Sequence, residues 1–187
     1  MSSKSEPWYV HAILYVIIIA LAYILIRVAI VNPQNYMEQE RYYRNESRAR
    51  MLNLRQAQIL WNDKYDQFTD NLDSLINFIQ NDTSVLNLKD QIDSLTGKTK
   101  YPFEPLPSVG EFVPESLYWA PKSHEYYSLQ VDTTVELDTV VNRRGNIVRI
   151  DTLTNIGNRY LLEDPDGYGK IGDVNSDALI NTPSWEQ

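Results

Sequence analysis

An apolar run near the start of the chain dominates its pattern of hydrophobic and polar positions. Residues 13–31 read ILYVIIIALAYILIRVAIV and contain one charged side chain, Arg27. A helix of about 20 apolar residues matches a hydrocarbon layer roughly 30 Å thick and satisfies its own backbone hydrogen bonds inside lipid. Trp8 and Tyr9 are placed to anchor one end at the interface, and Arg27 can extend its guanidinium toward the other. The pattern predicts a transmembrane anchor over residues 8–31, in contact with membrane lipid.

Two other interpretations of this run are a cleaved signal peptide and a buried core helix. A signal peptide has a shorter apolar region followed by small residues, whereas this run is long and leads into a poor cleavage site at residues 29–33. A core helix this uniformly apolar would need a larger protein around it than residues 32–187 supply. A retained single-pass anchor is therefore the favoured interpretation.

Apolar and aromatic positions then recur at helical spacing, which predicts a long amphipathic stalk. Asn32-Pro33 could either end the first helix or restart it. The other faces of the stalk are polar, with Glu40/Arg44 and Glu46/Arg50 as i,i+4 pairs. From Met51 onward the stripe has the character of a core face that packs on a β head. The stripe consists of Tyr36, Tyr43, Ser47, Met51, Leu54, Ala57, Trp61, Tyr65 and Phe68.

Part of this stripe is also predicted to face a partner. Amphipathic aromatic side chains suit protein interfaces, and Tyr36, Tyr42 and Tyr43 cluster on the membrane-proximal part of the stalk. The alternative is a tyrosine-rich stalk without a partner. The predicted partner-facing residues are Tyr36, Tyr43, Met51, Leu54 and Trp61.

Shorter elements are expected after the stalk. Thr69 is placed to cap a helix over residues 70–80, and a third amphipathic piece covers residues 85–95 before Gly97. Five prolines fall within residues 101–121, which indicates an extended, irregular connector.

The remainder reads as β-structure. Val131, Val135, Leu137 and Val141 alternate on one face of a strand over 131–141, a turn at 142–146 follows, and a second strand covers 147–154. Residues 155–158 are predicted to turn into a third strand, 159–163. The predicted fold class is α+β, with a single transmembrane helix, a long helical stalk and a small antiparallel sheet packed on the helix. The predicted organisation is a tail (1–7), the anchor (8–31), the stalk with short helices (32–100), a connector (101–124) and a β head with an acidic tail (125–187).

This order of elements resembles the type IV pilins and type II secretion pseudopilins. The local match comprises LRQAQILW at 54–61, YDQFTDNLDSL at 65–75 and DPDGYGKI at 164–171. The resemblance implies a small sheet on an amphipathic helix and membership of an envelope or secretion assembly. Prepilin processing needs a Gly just before the apolar helix and a Glu within it. Here the first Gly is Gly97 and the run contains no acid, so we expect pseudopilin-like architecture without pilin-type cleavage or assembly.

Charge and composition narrow the partners and the location. The formal charge of −8 and pI near 4.7 argue against nucleic acid as a partner. The chain has no cysteine, which is compatible with either side of a bacterial inner membrane. Five arginines between Arg41 and Arg55 favour a cytoplasmic body, whereas the short N-terminal tail and the β-rich C-terminal region favour an external one. We favour the periplasmic side of the inner membrane.

The acidic C-terminal stretch is a candidate calcium loop, similar to a dockerin repeat. Asp173, Asn175, Asp177 and Asn181 place oxygen ligands at loop positions 1, 3, 5 and 9. Position 6 is Ala178 instead of Gly, and position 12 is Ser184 instead of a carboxylate. The alternatives are a solvated turn-rich tail or a separate cluster of Asp164, Asp166 and Asp173. No other cofactor is expected.

Nothing in the sequence predicts catalysis. His11 lies in the anchor and His124 in the connector, and there is no nucleophile triad, glycine-rich phosphate loop or histidine metal spacing. The predicted function is a structural or interaction subunit, not an enzyme, that binds membrane or envelope proteins or further copies of itself. The alternative is a membrane-tethered, calcium-stabilised ligand-binding module.

Overall fold

The structure is a computed structural model that describes residues 8–92, 94, 97, 99–141, 144–145 and 147–186. The predicted tail 1–7, Leu95 and the turn residues Asn142, Arg143 and Asn146 lie outside the described residues. The chain divides into two compact units, Met1–Tyr43 and Arg44–Gln187. We refer to Arg44–Gln187 as the C-terminal unit.

The helix that begins at Trp8 continues to Tyr65. Helix α1 spans Trp8–Ile26, a π-helical segment spans Arg27–Val31, and α2 spans Asn32–Tyr65. Pro33 lacks a backbone N–H and cannot complete the i→i−4 ladder, and the wider π turn directly precedes it. The chain therefore remains helical across Asn32-Pro33 instead of ending there.

The core of the C-terminal unit is built around the second half of α2. Met51, Leu54 and Ala57 are fully buried at the helical spacing that the sequence shows. They belong to one apolar cluster with side chains from a second helix, from the connector and from the sheet: Leu75, Ile76, Ile79, Phe103, Leu117, Tyr160, Leu162 and Ile171. The predicted α+β class, a long N-terminal helix with a small antiparallel sheet, is confirmed.

Two short helices follow α2, and their boundaries differ from those predicted. Helix α3 spans Leu72–Asn81 and is capped by Asn71, whose side chain accepts a hydrogen bond from the Ser74 amide at 2.8 Å. Thr69 was expected as the cap, but its hydroxyl accepts from the Asn71 amide before the helix begins. Helix α4 is a single turn, Thr83–Leu86, followed by a 3-10 turn at Asn87–Lys89. It is shorter than predicted because the chain reverses, pairing Ile92 with Thr99.

The proline-rich connector is irregular but firmly packed. Phe103, Leu106, Leu117 and Ala120 are buried, and a 3-10 turn spans Pro114–Leu117. The amide of Asn53 bonds both the N–H and the C=O of Glu104, at 2.9 and 3.0 Å. The segment is therefore part of the core and not a spacer.

The sheet consists of β1 (Ser128–Val141), β2 (Ile147–Glu163) and β3 (Lys170–Gly172), in that order and antiparallel. The prediction of a turn at 155–158 and a separate strand at 159–163 is wrong, since β2 runs through both. Gly157 adopts φ +76°, and the register shifts between Val131 and Thr133. This bulge absorbs the residues that read as a turn. The third strand is β3, which pairs with the end of β2.

Candidate functional site

One helix among the described residues is long and apolar enough to cross a membrane. The predicted anchor residues Trp8, Tyr9 and Arg27 are all exposed, with Trp8 80% exposed at the start of α1. Such continuous exposed apolar surface is what lipid covers, so the helix is compatible with membrane anchoring.

The predicted partner-facing residues divide into two groups. Tyr36 is exposed, and Tyr43 is half-buried beside Tyr42, with ring centroids 5.6 Å apart. Met51 and Leu54 are 0% exposed within the C-terminal unit, so their assignment to a partner is corrected. A repeating apolar stripe indicates that one face of the helix is buried. It does not tell whether that face is buried within its own chain or against another protein. Trp61 is half-buried and lines a cleft between α2 and α3.

The four predicted calcium ligands have separate contacts. The Asp173 carboxylate accepts from the Asn175 amide at 2.8 Å, and Asp177 pairs with Arg159 at 2.6 Å. The Asn181 side-chain oxygen accepts from the Tyr160 hydroxyl at 2.7 Å. Among the described residues, no group of three or more His, Asp or Glu side chains is placed to hold a metal ion. Calcium binding stays a prediction.

In the alternative acidic cluster, Asp164 is engaged in hydrogen bonds with other parts of the protein. The buried Asp164 carboxylate accepts from the Ser47 hydroxyl at 2.8 Å and from the Asp166 amide at 3.0 Å. Ser47 also bonds the Tyr127 hydroxyl at 2.9 Å, and burial raises the Tyr127 pKa. Asp164 thus orders the 164–169 loop and ties it to α2.

A second buried polar cluster was not predicted. Glu46 and Arg50 were expected as a pair on a polar helix face, yet Glu46 is fully buried and Arg50 nearly so. Glu46 also accepts from the Ser108 amide and hydroxyl, at 2.9 and 2.6 Å. Arg50 donates to the carbonyls of Ser116 and Trp119 at 2.9 and 2.8 Å. These groups are satisfied and shielded from solvent, so they hold the connector on α2 and offer no opening for a substrate.

The outer part of the β1–β2 hairpin is a candidate interaction surface, which we call the β-arm (residues 133–141 and 147–156). It begins at the bulge, where the Asp132 side chain accepts from the Arg159 amide at 2.8 Å. Nine residues of strand extend about 30 Å. Ile147, Val148 and Ile156 are more than half exposed, with Val148 at 66%. A two-stranded ribbon with exposed apolar residues is marginally stable alone and gains stability from a partner.

A cleft between α2 and α3 is the second candidate site, which we call the helix cleft. It has a volume of about 300 Å³. One side is aromatic, because the Trp61 ring lies 4.5 Å from Tyr65 and 5.3 Å from Phe78. The rest is polar. The lining comprises Trp61, Tyr65, Ser74, Asn77, Phe78, Asn81 and Asp82.

An ion pair lies at the edge of the helix cleft. Lys64 of α2 donates a hydrogen bond to the Asp82 carboxylate, which also accepts from the Ser84 hydroxyl and amide. The Lys64 hydrogen bond, followed by those of Ser84, lowers the Asp82 pKa from its ordinary 3.8 to about 2. The same contact raises the Lys64 pKa. Both groups remain charged at neutral pH and balance each other.

The sequence pattern could not reveal the helix cleft. Trp61 was noted as part of a stripe, but Ser74, Asn77 and Asn81 occupy the polar face of a short helix and look like ordinary solvated residues. The spacing of three and four residues between them was the available signal that they share a face. No family model, curated protein or solved structure matches the chain.

Proposed function

We propose that this protein is a single-pass, membrane-anchored structural and interaction subunit of a cell-envelope assembly. The observation that carries the proposal is the helix from Trp8 to Tyr65. Its first part is uniformly apolar and exposed, and its last part forms the centre of a folded core. A helix with this division of character suits a protein that has both a membrane anchor and a folded C-terminal unit.

The β-arm supports an interaction role. Its exposed isoleucine and valine side chains and the outer backbone edge of β1 offer both apolar contact and strand pairing. The occupant we propose is another protein anchored in the same membrane, since anchoring confines both proteins to one surface and raises their effective concentration.

Location and architecture are part of the proposal. As part of the same proposal we place the C-terminal unit in the periplasm of a bacterial inner membrane, a location with which its small antiparallel sheet is compatible. An amphipathic helix with a small antiparallel sheet and an ordered Asp164-Pro165-Asp166-Gly167 loop supports the pseudopilin-like comparison. The absence of a Gly and a Glu at the start of the apolar run argues for a subunit retained as an anchored protein.

The test is to solubilise the full chain from its native membrane in mild detergent, wash with salt and identify stoichiometric partners. An arm-shortened variant, with residues 135–154 replaced by Asn-Gly, retains the bulge and the Thr134–Asn155 pairing. We expect it to stay in the membrane fraction and lose those partners. The matched control is Val109→Ser, which removes an exposed apolar side chain outside the arm.

Three results would contradict the proposal. The first is recovery of the wild-type chain alone and monomeric, and the second is loss of partners in the Val109→Ser control. The third is recovery of the full partner set with the arm-shortened variant. The arm-shortened variant should keep the wild-type melting temperature, because the core residues Leu162 and Tyr160 lie on the other side of the bulge. An unchanged melting temperature shows that any loss of partners does not result from unfolding.

A further inference from the structure

The helix cleft combines aromatic rings with uncommitted polar side chains, and we propose that it binds a neutral saccharide. This role goes beyond subunit assembly and does not depend on it, because the cleft lies on α2 and α3 and shares no residue with the β-arm.

The aromatic side of the cleft supplies an apolar surface for a sugar ring. Tyr65 is 45% exposed, and Trp61 is half-buried against Phe78. Sugar rings present C–H groups on their faces, and these pack on the faces of Trp and Tyr as other apolar groups do. The Trp61 indole N–H is covered and has no hydrogen-bond acceptor within the described part of the chain. A sugar hydroxyl would reach this N–H only after a shift of the Trp61 ring, and it would then supply the missing acceptor.

The polar side of the cleft carries groups that both donate and accept. The Asn81 amide N–H donates to the Asn77 side-chain oxygen at 2.6 Å. Within the part of the chain that the structure describes, this contact leaves the Asn77 NH₂ group and the Asn81 oxygen for a ligand, beside the Ser74 hydroxyl. Sugar hydroxyls also donate and accept, so a row of amides and a hydroxyl is complementary to the edge of a sugar ring.

The charges of the cleft favour a neutral ligand. Asp82 is bonded to Lys64, and Lys64 also lies 5.3 Å from the Tyr65 ring centroid. The pair balances its own charge, and the Lys64 ammonium already lies over the Tyr65 and Phe78 rings, where a ligand cation would bind. A free anion or an ammonium group would have to compete with this pair, whereas a saccharide would not.

The shape of the cleft argues for a saccharide over a peptide. Its walls are helices whose backbone groups bond within the helix, so they offer no strand edge for an extended peptide. The cleft has a volume of about 300 Å³ and both polar and aromatic lining residues. This volume is too small to hold an amphipathic helix. It suits one sugar residue of a chain.

The experiment is calorimetric titration of the full chain in lipid nanodiscs, which avoids sugar-headed detergents. The probes are cellobiose, maltose, mannobiose and chitobiose, each up to about 10 mM so that weak binding is seen. We expect at least one to bind. Tyr65→Ala and Asn77→Ala should each weaken that binding by roughly tenfold. Tyr65→Phe keeps the aromatic ring and should bind with the wild-type affinity.

The matched control is Tyr126→Ala, which removes a tyrosine that is 67% exposed and lies outside the cleft. It should leave affinity unchanged. Absence of binding by all four sugars would overturn the proposal, as would equal affinity in wild type, Tyr65→Ala and Asn77→Ala. Preferential binding of a random short-peptide pool that is lost in Tyr65→Ala would overturn it in favour of a peptide site.

Discussion

The Glu46 carboxylate accepts two hydrogen bonds from the Arg50 guanidinium one turn further along α2, at 3.0 and 2.9 Å, with both side chains buried. A buried ion pair adds little compared with an apolar pair of the same shape, but removing one member leaves an unpaired charge. The arrangement therefore makes the C-terminal unit sensitive to single substitutions at positions that look like ordinary helix-surface residues.

Glu46→Ala should destabilise the C-terminal unit by about 3–5 kcal/mol, since Arg50 loses its counter-charge and Ser108 loses its acceptor. Thermal melting of the solubilised full chain, followed by near-ultraviolet circular dichroism, measures the loss. Glu125→Ala removes an exposed carboxylate and should change the melting temperature little. Equal melting temperatures for the two variants would show that the buried pair contributes nothing.

Acid should weaken the contact between α2 and the start of α4. The Asp82 pKa is lower in the folded chain, so its contribution to stability is complete above pH 3.8 and is lost as the pH falls toward about 2. The Lys64 pKa is raised, so its contribution is present below its ordinary value of 10.5 and is lost as the pH rises above it.

Asp82→Asn tests this pH dependence. Melting temperatures of wild type and variant are measured at neutral pH and near pH 2.5. The difference between the two proteins should be smaller near pH 2.5, because wild-type Asp82 is then partly protonated. Asp63→Asn is the control, because it also removes one negative charge but leaves the Lys64–Asp82 pair intact. Its difference from wild type should not shrink in acid. A difference between Asp82→Asn and wild type that stays constant with pH would contradict the assigned pKa.

Gly157→Ala should destabilise the unit more than Gly167→Ala. Both glycines have φ +76°, where an L side chain costs roughly 1–3 kcal/mol. A Cβ at Gly157 would lie 2.7 Å from the Phe68 carbonyl oxygen, whereas at Gly167 nothing lies within 4 Å. The second variant thus controls for backbone strain alone. Equal losses in melting temperature would show that the contact between β2 and the Phe68 backbone can relax.

Calcium should leave the melting temperature of the full chain unchanged. Asp177 is paired with Arg159 and Asn181 accepts from Tyr160, so a metal ion would have to displace both contacts. Melting with calcium and with a chelator, with magnesium as the ionic control, measures the effect. A rise with calcium alone that disappears in Asp173→Asn would instead support the predicted calcium loop.

Local periodicity explains why the fold class and the buried side of α2 could be predicted. Met51, Leu54 and Ala57 repeat at helical spacing, and the strands alternate. The errors arose where local rules allow two outcomes. Gly157 with its flanking asparagines reads as a turn, yet the same left-handed glycine also suits a bulge within a strand. An i,i+4 pair such as Glu46/Arg50 has the same sequence signature whether exposed or buried.

The candidate sites were harder to predict, because each depends on residues from more than one element. The helix cleft requires that Trp61 and Asn77 face each other, which is decided by the packing of α3 on α2. Val148 alternates like any strand residue, and its exposure follows from its place in the β-arm, outside the core formed by the described residues. Such relationships depend on tertiary structure and produce no periodic pattern in the sequence.

The hydrogen bond from Ser47 to Asp164 joins residues 117 positions apart in the chain. During synthesis, the apolar face of α2 leaves the ribosome long before the strands that cover it, β2 and β3. Contacts of such long sequence separation form late and slow folding. The newly made chain must therefore keep the Met51–Leu54 surface from aggregating until β2 and β3 have been synthesised.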